Sequence, residues 1–316
     1  MRLTLFLFFI AFAQFSFNAD AQKAPKSYHH QISLFSENDS YALDKIDRYY
    51  TNGIAIRFAT SLKSKGTTKR VLGAEVGQSI YTPYSIKKNY LSYLDRPYTG
   101  FLYAKGGLTY LHAGENILSW NILAGVIGKA AKGQEVQEAI HKTFRFLRPR
   151  GWETQLKSEL GINLQGSYHY HLLNGRNNKA KRFDAFAVTN ATVGTTFNCI
   201  SEGILLRFGR INPSYESSWW DGVLSPERTA SKQELFLYFQ PTIEYQLFNA
   251  TMQGGVFTKD NPYTTSIRPF VYRHMFGGMF SRGRSQIQLG YTFTTKEAKT
   301  MVVNSTYGTI AFGLRL

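Results

Sequence analysis

Three stretches of the sequence collect side chains that could do chemistry. The first is SLFSENDSYALDKIDRYYTNGIAI, residues 33–56, where Glu37, Asn38 and Asp39 precede Tyr49-Tyr50-Thr51-Asn52-Gly53. If the two runs are strand ends joined in a hairpin, Asn38, Asp39 and Thr51 converge. Asparagine amides can donate to a developing oxyanion, and carboxylate and carbonyl oxygens can hold a hard cation such as Ca²⁺. The same residues also suit an Asx-rich turn. The second stretch is GQEVQEAIHKTFRFL, Gly133–Leu147, rich in helix formers and without alternation. Gln134, Gln137 and His141 fall on one polar row there, while Val136, Ile140, Phe144 and Leu147 fall on an apolar stripe. His141, one of seven histidines, could act as a general base if a partner orients it. It could equally be a hydrogen-bonded polar group with no catalytic role. The third stretch is the loop carrying Lys87, Lys88, Asp95 and Arg96: either solvated charge, or a site for headgroup phosphates.

Other chemistries have thinner support. His169 and His171 share one strand face, which allows a metal site, but no third ligand is evident. His29 and His30 read as structural or exposed. No G-x-S-x-G elbow and no P-loop occurs, so motif gives no support to Ser–His hydrolysis or nucleotide binding.

These residues are embedded in alternating strands. Ile54, Ile56 and Phe58 face one way in GIAIRFAT; Ile287, Leu289, Tyr291 and Phe293 do so in SQIQLGYTFTT; and Ile310, Phe312, Leu314 and Leu316 do so at the end. The pattern predicts strands at 30–38, 51–61, 69–80, 101–113, 117–127, 158–173, 182–195, 200–210, 233–248, 267–280, 284–297 and 302–316. One face of each meets an apolar phase and the other meets small or polar groups. An even set of long, aromatic-rich strands predicts an all-β fold: a twelve-stranded antiparallel outer-membrane β-barrel with one short helix between strands five and six. A periplasmic or secreted β-sandwich is the weaker alternative, because the outward positions are Ile, Leu, Phe and Tyr.

Composition narrows the classes. The chain has 316 residues, of which 43% are hydrophobic and 15% aromatic, so disorder is excluded. Cys199 is the single cysteine, which excludes an intramolecular disulfide and a cysteine zinc site. Arg2, the apolar run Leu3–Phe12 and Ala19-Asp20-Ala21 read as an export signal over 1–21, leaving 22–316 as the barrel. Losing Arg2 and Asp20 together keeps the net charge at +16. That charge favours an anionic partner, and export makes nucleic acid an unsuitable one. No later stretch reaches the ~18 apolar residues of a spanning helix.

The blocks as a set resemble the outer-membrane lipid A 3-O-deacylase family, LpxR-like proteins. The resemblance runs through Glu37-Asn38-Asp39, Tyr49-Tyr50-Thr51-Asn52-Gly53, Ile80-Tyr81-Thr82-Pro83, Asp95-Arg96-Pro97-Tyr98-Thr99-Gly100, Gly133-Gln134-Glu135-Val136-Gln137 with His141, and Gly151-Trp152-Glu153-Thr154-Gln155. It covers roughly residues 30–210; the last third matches only as alternating strands. It implies a site at the barrel wall beside a helix, open to the outer leaflet. It further implies His141 as general base and Asn38, Asp39 and Thr51 around the reacting carbonyl. Ca²⁺ would be held at Asp39, and Lys87 or Lys88 would meet lipid phosphate with Gln137 nearby. The implied activity is hydrolysis of the 3′-linked acyloxyacyl chain of lipid A, by a monomer among outer-membrane lipids. The chain departs at one place: where some members carry a Glu six residues after the histidine, it has Leu147. Glu153 or Glu159 takes that role, or no acid is needed, or the chemistry is altered. Alternative functions are a glycerophospholipid phospholipase or acyltransferase, or a non-catalytic pore or scaffold.

Overall fold

A computed structural model describes residues 27–42, 47–86, 94–173, 181–225 and 233–316. The export signal, Lys87 and Lys88 lie outside the described residues. The first six strands are β1 (His30–Asn38), β2 (Tyr49–Lys65), β3 (Thr68–Thr82), β4 (Thr99–His112), β5 (Ile117–Ile127) and β6 (Glu159–His171). The rest are β7 (Lys181–Gly194), β8 (Phe197–Ile211), β9 (Glu234–Asn249), β10 (Phe270–Arg282), β11 (Ser285–Thr294) and β12 (Ser305–Arg315). Each pairs antiparallel with its sequence neighbours, and β1 closes the barrel on β12 from Gln31↔Arg315 to Asn38↔Gly308. Every predicted strand is present. Helix α1 (Gly133–Phe144) joins β5 to β6 as expected, and a short α2 (Ala250–Gln253) follows β9.

Alternation sets which side chains meet which phase. Ile54, Ile56 and Phe58 point outward and stay exposed, while Ala55 and Ala59, on the opposite face, are buried. The same outward rows run through Leu72 and Val76, Ile122, Leu160 and Ile162, and Leu235 and Leu237. A soluble surface rarely carries a continuous apolar band of this extent; hydrocarbon is the phase that accepts it. No helix among the described residues is long and apolar enough to cross a membrane, so the crossing is made by strands.

The two barrel ends differ. The start of β1 and the end of β12 lie at one end, where β2–β3 and β10–β11 are joined by tight turns. The opposite end carries the connections 39–48, 83–98, 128–158 and 250–269, and so corresponds to the outer face. At the terminal end, residues 212–225 fold into the lumen. Trp220 and Leu224 pack on the inward-facing Phe186, Leu205 and Phe236. The fully buried Arg207 donates to Asp184 (2.7 Å) and Ser217 (3.0 Å) and lies over the Trp220 ring. Above this floor is a polar cavity of about 220 Å³ lined by Arg57, Glu75, Lys105, Asn121, Trp219 and Trp220. Trp220 and Leu224 thus occupy lumen space at this end.

Candidate active site

The site forms on the outer surface of the barrel wall, where β1, β2 and β3 reach the outer face. In β3, Leu72 and Val76 face lipid, and Gln78, Ile80 and Thr82 continue the same outward row. Those last three are buried because α1 and its flanking loops lie over them. Gln78 Nε2 donates to the Ala131 carbonyl at 2.6 Å. Gly100 and Gly133 allow the helix to seat closely: a Cβ on Gly100 would stand 3.1 Å from the Gly133 nitrogen.

Helix α1 buries two residues of its polar row. Gln137 and His141 are buried, whereas Val136, Ile140 and Phe144 are only half-buried. Val136, from the apolar stripe, packs on the cluster of Ile80, Tyr98 and Trp152, so the helix meets the wall through both polar and apolar contacts. The helix is also shorter than the Gly133–Leu147 expected: Arg145 adopts left-handed φ 57° and ends it, so Leu147 lies beyond the helix.

His141 is held at both ring nitrogens. Nε2 lies 2.6 Å from Asp47 Oδ2, and Nδ1 lies 2.5 Å from the Leu147 carbonyl oxygen. Trp152 Nε1 donates to Gln137 Oε1 at 2.8 Å, and Gln137 Nε2 reaches Asp47 Oδ2 at 3.4 Å. A buried indole thus fixes an amide, the amide steadies a carboxylate, and the carboxylate holds the imidazole. Burial pulls the His141 pKa down, but the Asp47 hydrogen bond and the Leu147 carbonyl outweigh it, leaving the pKa above its ordinary value. Each ring nitrogen thus faces an acceptor oxygen, an arrangement that favours the protonated ring.

The β1–β2 end gathers the other expected residues without joining them to one another. Asn38 Nδ2 donates to Asn52 Oδ1 (3.3 Å), and Ser40 N donates to Asn38 Oδ1 (2.9 Å). Asp39 is buried, and its Oδ2 accepts from Arg48 N at 2.9 Å. The Asx-turn reading therefore describes part of what these two side chains do. Thr51 is the extra residue of a β-bulge: Tyr50 pairs with Tyr81 and Asn52 with Ile80, leaving Thr51 out of register. Its hydroxyl lies 2.6 Å from that of Thr82. Bulges re-aim side chains beside functional sites, and this one turns Tyr50 inward while Asn52 keeps the outward row.

Asp47 is the site residue that sequence reasoning missed. It sits in the Asp47-Arg48-Tyr49-Tyr50-Thr51 run, but no spacing rule ties it to His141 on a distant helix. Neither glutamate considered for the acid role reaches His141. Glu153 Oε2 accepts from Gly151 N at 3.2 Å, and Glu159 takes the backbone amides of Phe257 and Thr258.

Asp95 and Arg96 are also not surface charges. Asp95 accepts from Tyr49 Oη (2.6 Å) and Tyr84 N (2.8 Å), and Arg96 is buried against the Tyr81 ring. They brace the outer loops. His169 packs edge-on to Trp220 and joins no metal-ligand cluster among the described residues. His171 does meet Glu115 and Asp184 in metal-ligand proximity, but Lys181 Nζ sits among them, 2.5 Å from Glu115 and 3.3 Å from His171.

The family model described as outer membrane protein LpxR matches residues 4–316. Among solved structures, LpxR from Salmonella typhimurium is similar with a TM-score of 0.74 at 19% identity, covering 90% of this chain and 100% of that one. The β domain of the Bordetella autotransporter BrkA scores 0.46 at 10% identity, with 92% and 99% covered. A comparison with curated protein sequences returns no match. The described barrel and the full-length family match together place the protein: the chain belongs to the LpxR family of outer-membrane proteins.

Proposed function

We propose that the protein is a lipid A 3-O-deacylase, an outer-membrane ester hydrolase that removes the 3′-linked acyloxyacyl chain. The observation that carries this reading is the Asp47–His141 pair, braced by Gln137 and Trp152, on the outward wall at the edge of the lipid band. There a phosphorylated, acylated lipid of the outer leaflet can bring an ester to the imidazole while its chains stay in hydrocarbon. The net charge of +16 suits a phosphate-bearing substrate.

His141 takes the proton of an attacking water, and Asp47 stabilises the imidazolium that results. The proton then passes from His141 to the leaving hydroxyl. The amides of Asn38 and Asn52 and the Thr51 hydroxyl are the neighbouring polar groups for the tetrahedral oxyanion. The buried Asp39 carboxylate, the Asn38 side-chain carbonyl and the Thr51 hydroxyl give this rim oxygen ligands that fit a hard cation such as Ca²⁺. Asp39, with Asn38 and Thr51, would hold it, and the ion would supply positive charge towards the oxyanion. The chain works as a monomer in this scheme, since every named group comes from one barrel. Lys87 and Lys88 keep their place in the proposal as phosphate contacts.

The test is mass spectrometry of lipid A from cells expressing the chain or its His141→Gln variant, with and without a calcium chelator. Loss of one acyloxyacyl unit only with intact His141 and free Ca²⁺ supports substrate, base and metal together. Unchanged lipid A alongside a correctly inserted wild-type barrel refutes the assignment. Lysophospholipid in its place would indicate a glycerophospholipid enzyme.

A further inference from the structure

The acceptor at His141 Nδ1 comes from a segment unlike the rest of the site. Asp47, on Nε2, is braced from behind by Gln137. The Leu147 carbonyl, on Nδ1, belongs to the short segment Arg145–Arg148, all four of whose side chains are exposed. Phe146 is 54% and Leu147 66% exposed, at the same outer level as the site. Phe146 rests edge-on to the His141 ring and stacks on Phe144. Arginines flank the two apolar residues, with Lys142 and Arg150 just beyond. Glu138 is the acid facing them, a loose 3.5 Å from Arg148. Two exposed apolar side chains between cations match an amphiphile with anionic headgroup and acyl chains.

The carbonyl also stands where chemistry needs space. Nε2–H is committed to Asp47, so Nδ1 is the nitrogen left to take a proton from water, and the Leu147 oxygen occupies its hydrogen-bonding direction. We propose that Arg145–Arg148 is a substrate-operated latch: Arg145 and Arg148 take the lipid phosphates, Phe146 and Leu147 enter the acyl region, and this draws the Leu147 carbonyl off His141 Nδ1. Water then takes the vacated place, accepts the Nδ1 proton and passes it to solvent, which leaves His141 neutral and able to act as a base. The free protein is thereby kept inactive until an anionic acyl lipid lies on the wall. Leu147, the departure from the glutamate of some relatives, becomes the sensor. The inference rests on the reading of His141 as base.

The test is ¹⁵N NMR of histidine-labelled barrel in neutral detergent, with His141 assigned through His141→Gln. Without lipid, both His141 nitrogens report as protonated. Adding lipid A should remove the Nδ1 proton and keep that on Nε2, whereas dephosphorylated lipid A should do so about 10-fold less effectively, for want of the headgroup attraction. The Phe146→Ser/Leu147→Ser double variant should stay protonated at the same lipid concentration and lose about 10- to 100-fold of turnover. Its folding is checked by heat-modifiable gel mobility, and the wild-type titration decides the matter if it fails to fold. Hydrolysis of lipid A with no change at Nδ1 overturns the latch while leaving the deacylase reading intact. A response at Nδ1 with no acyl release refutes the deacylase and leaves the latch standing.

Discussion

Replacing Asp47 with asparagine removes a charge and little volume, so it isolates what the carboxylate does for His141. The 2.6 Å contact joins a group with 6% side-chain exposure to one with 21%, so solvent screens it weakly. A hydrogen bond to a charged group contributes about 1.5–3 kcal/mol, and one pKa unit is about 1.4 kcal/mol. Asp47→Asn should therefore lower the His141 pKa from its raised position. A base must be deprotonated to act, so wild-type activity rises with pH through a midpoint above the ordinary histidine value. In the variant that acid limb moves to lower pH. The plateau falls roughly 10- to 100-fold, because the base is weaker and its imidazolium has lost its counter-charge. Stability carries the same signature. A raised folded-state pKa contributes stability that is present below the unfolded pKa and lost as pH rises through the folded value. Wild type should thus lose that increment over this window, and Asp47→Asn should show almost none of it. The assay is initial rate of acyl release in mixed micelles from pH 5 to 9, beside urea titrations at each pH. An acid limb that stays in place in Asp47→Asn would refute the reasoning.

Three further outcomes follow from the packing. Gly100→Val should push α1 off the wall, since its side chain would meet Ala131 and the Gly133 backbone. About 100-fold of activity should be lost for an ~1 Å displacement, with barrel mobility on gels unchanged. Arg207→Leu leaves Asp184 without its closest cation in a fully buried setting and should destabilise the barrel by about 3–5 kcal/mol in urea, with the outer site intact. Chelating Ca²⁺ should abolish acyl release without unfolding the protein, and Asp39→Asn should raise the Ca²⁺ concentration needed for half-maximal rate about 10-fold or more.

The barrel was legible in the sequence because strand periodicity is local. Ile54, Ile56 and Phe58 must share a face whatever the rest of the chain does. Hydrocarbon as the outer phase made that face consistently apolar, so all twelve strands could be read, including β12 from its last residues. His141, Asn38, Asp39 and Thr51 were found as types with a chemistry, helped by a resemblance running through ordered blocks. Their surroundings were not local. The orientation of α1 depended on what β3 and β4 present at Gln78, Ile80 and Gly100, and this buried Gln137 and His141, which the row pattern alone left open. The end of the helix at Arg145 hinged on a single left-handed residue with no glycine to announce it. That break is what delivers a backbone carbonyl, invisible to any side-chain motif, to His141 Nδ1. The partner at Nε2 came from the loop entering β2, far away in sequence. Sequence therefore determined the barrel and singled out His141, because periodicity and residue type are properties of short stretches. Only the tertiary structure decided what that histidine touches, because closing the wall and seating a helix on it bring distant segments within hydrogen-bonding reach.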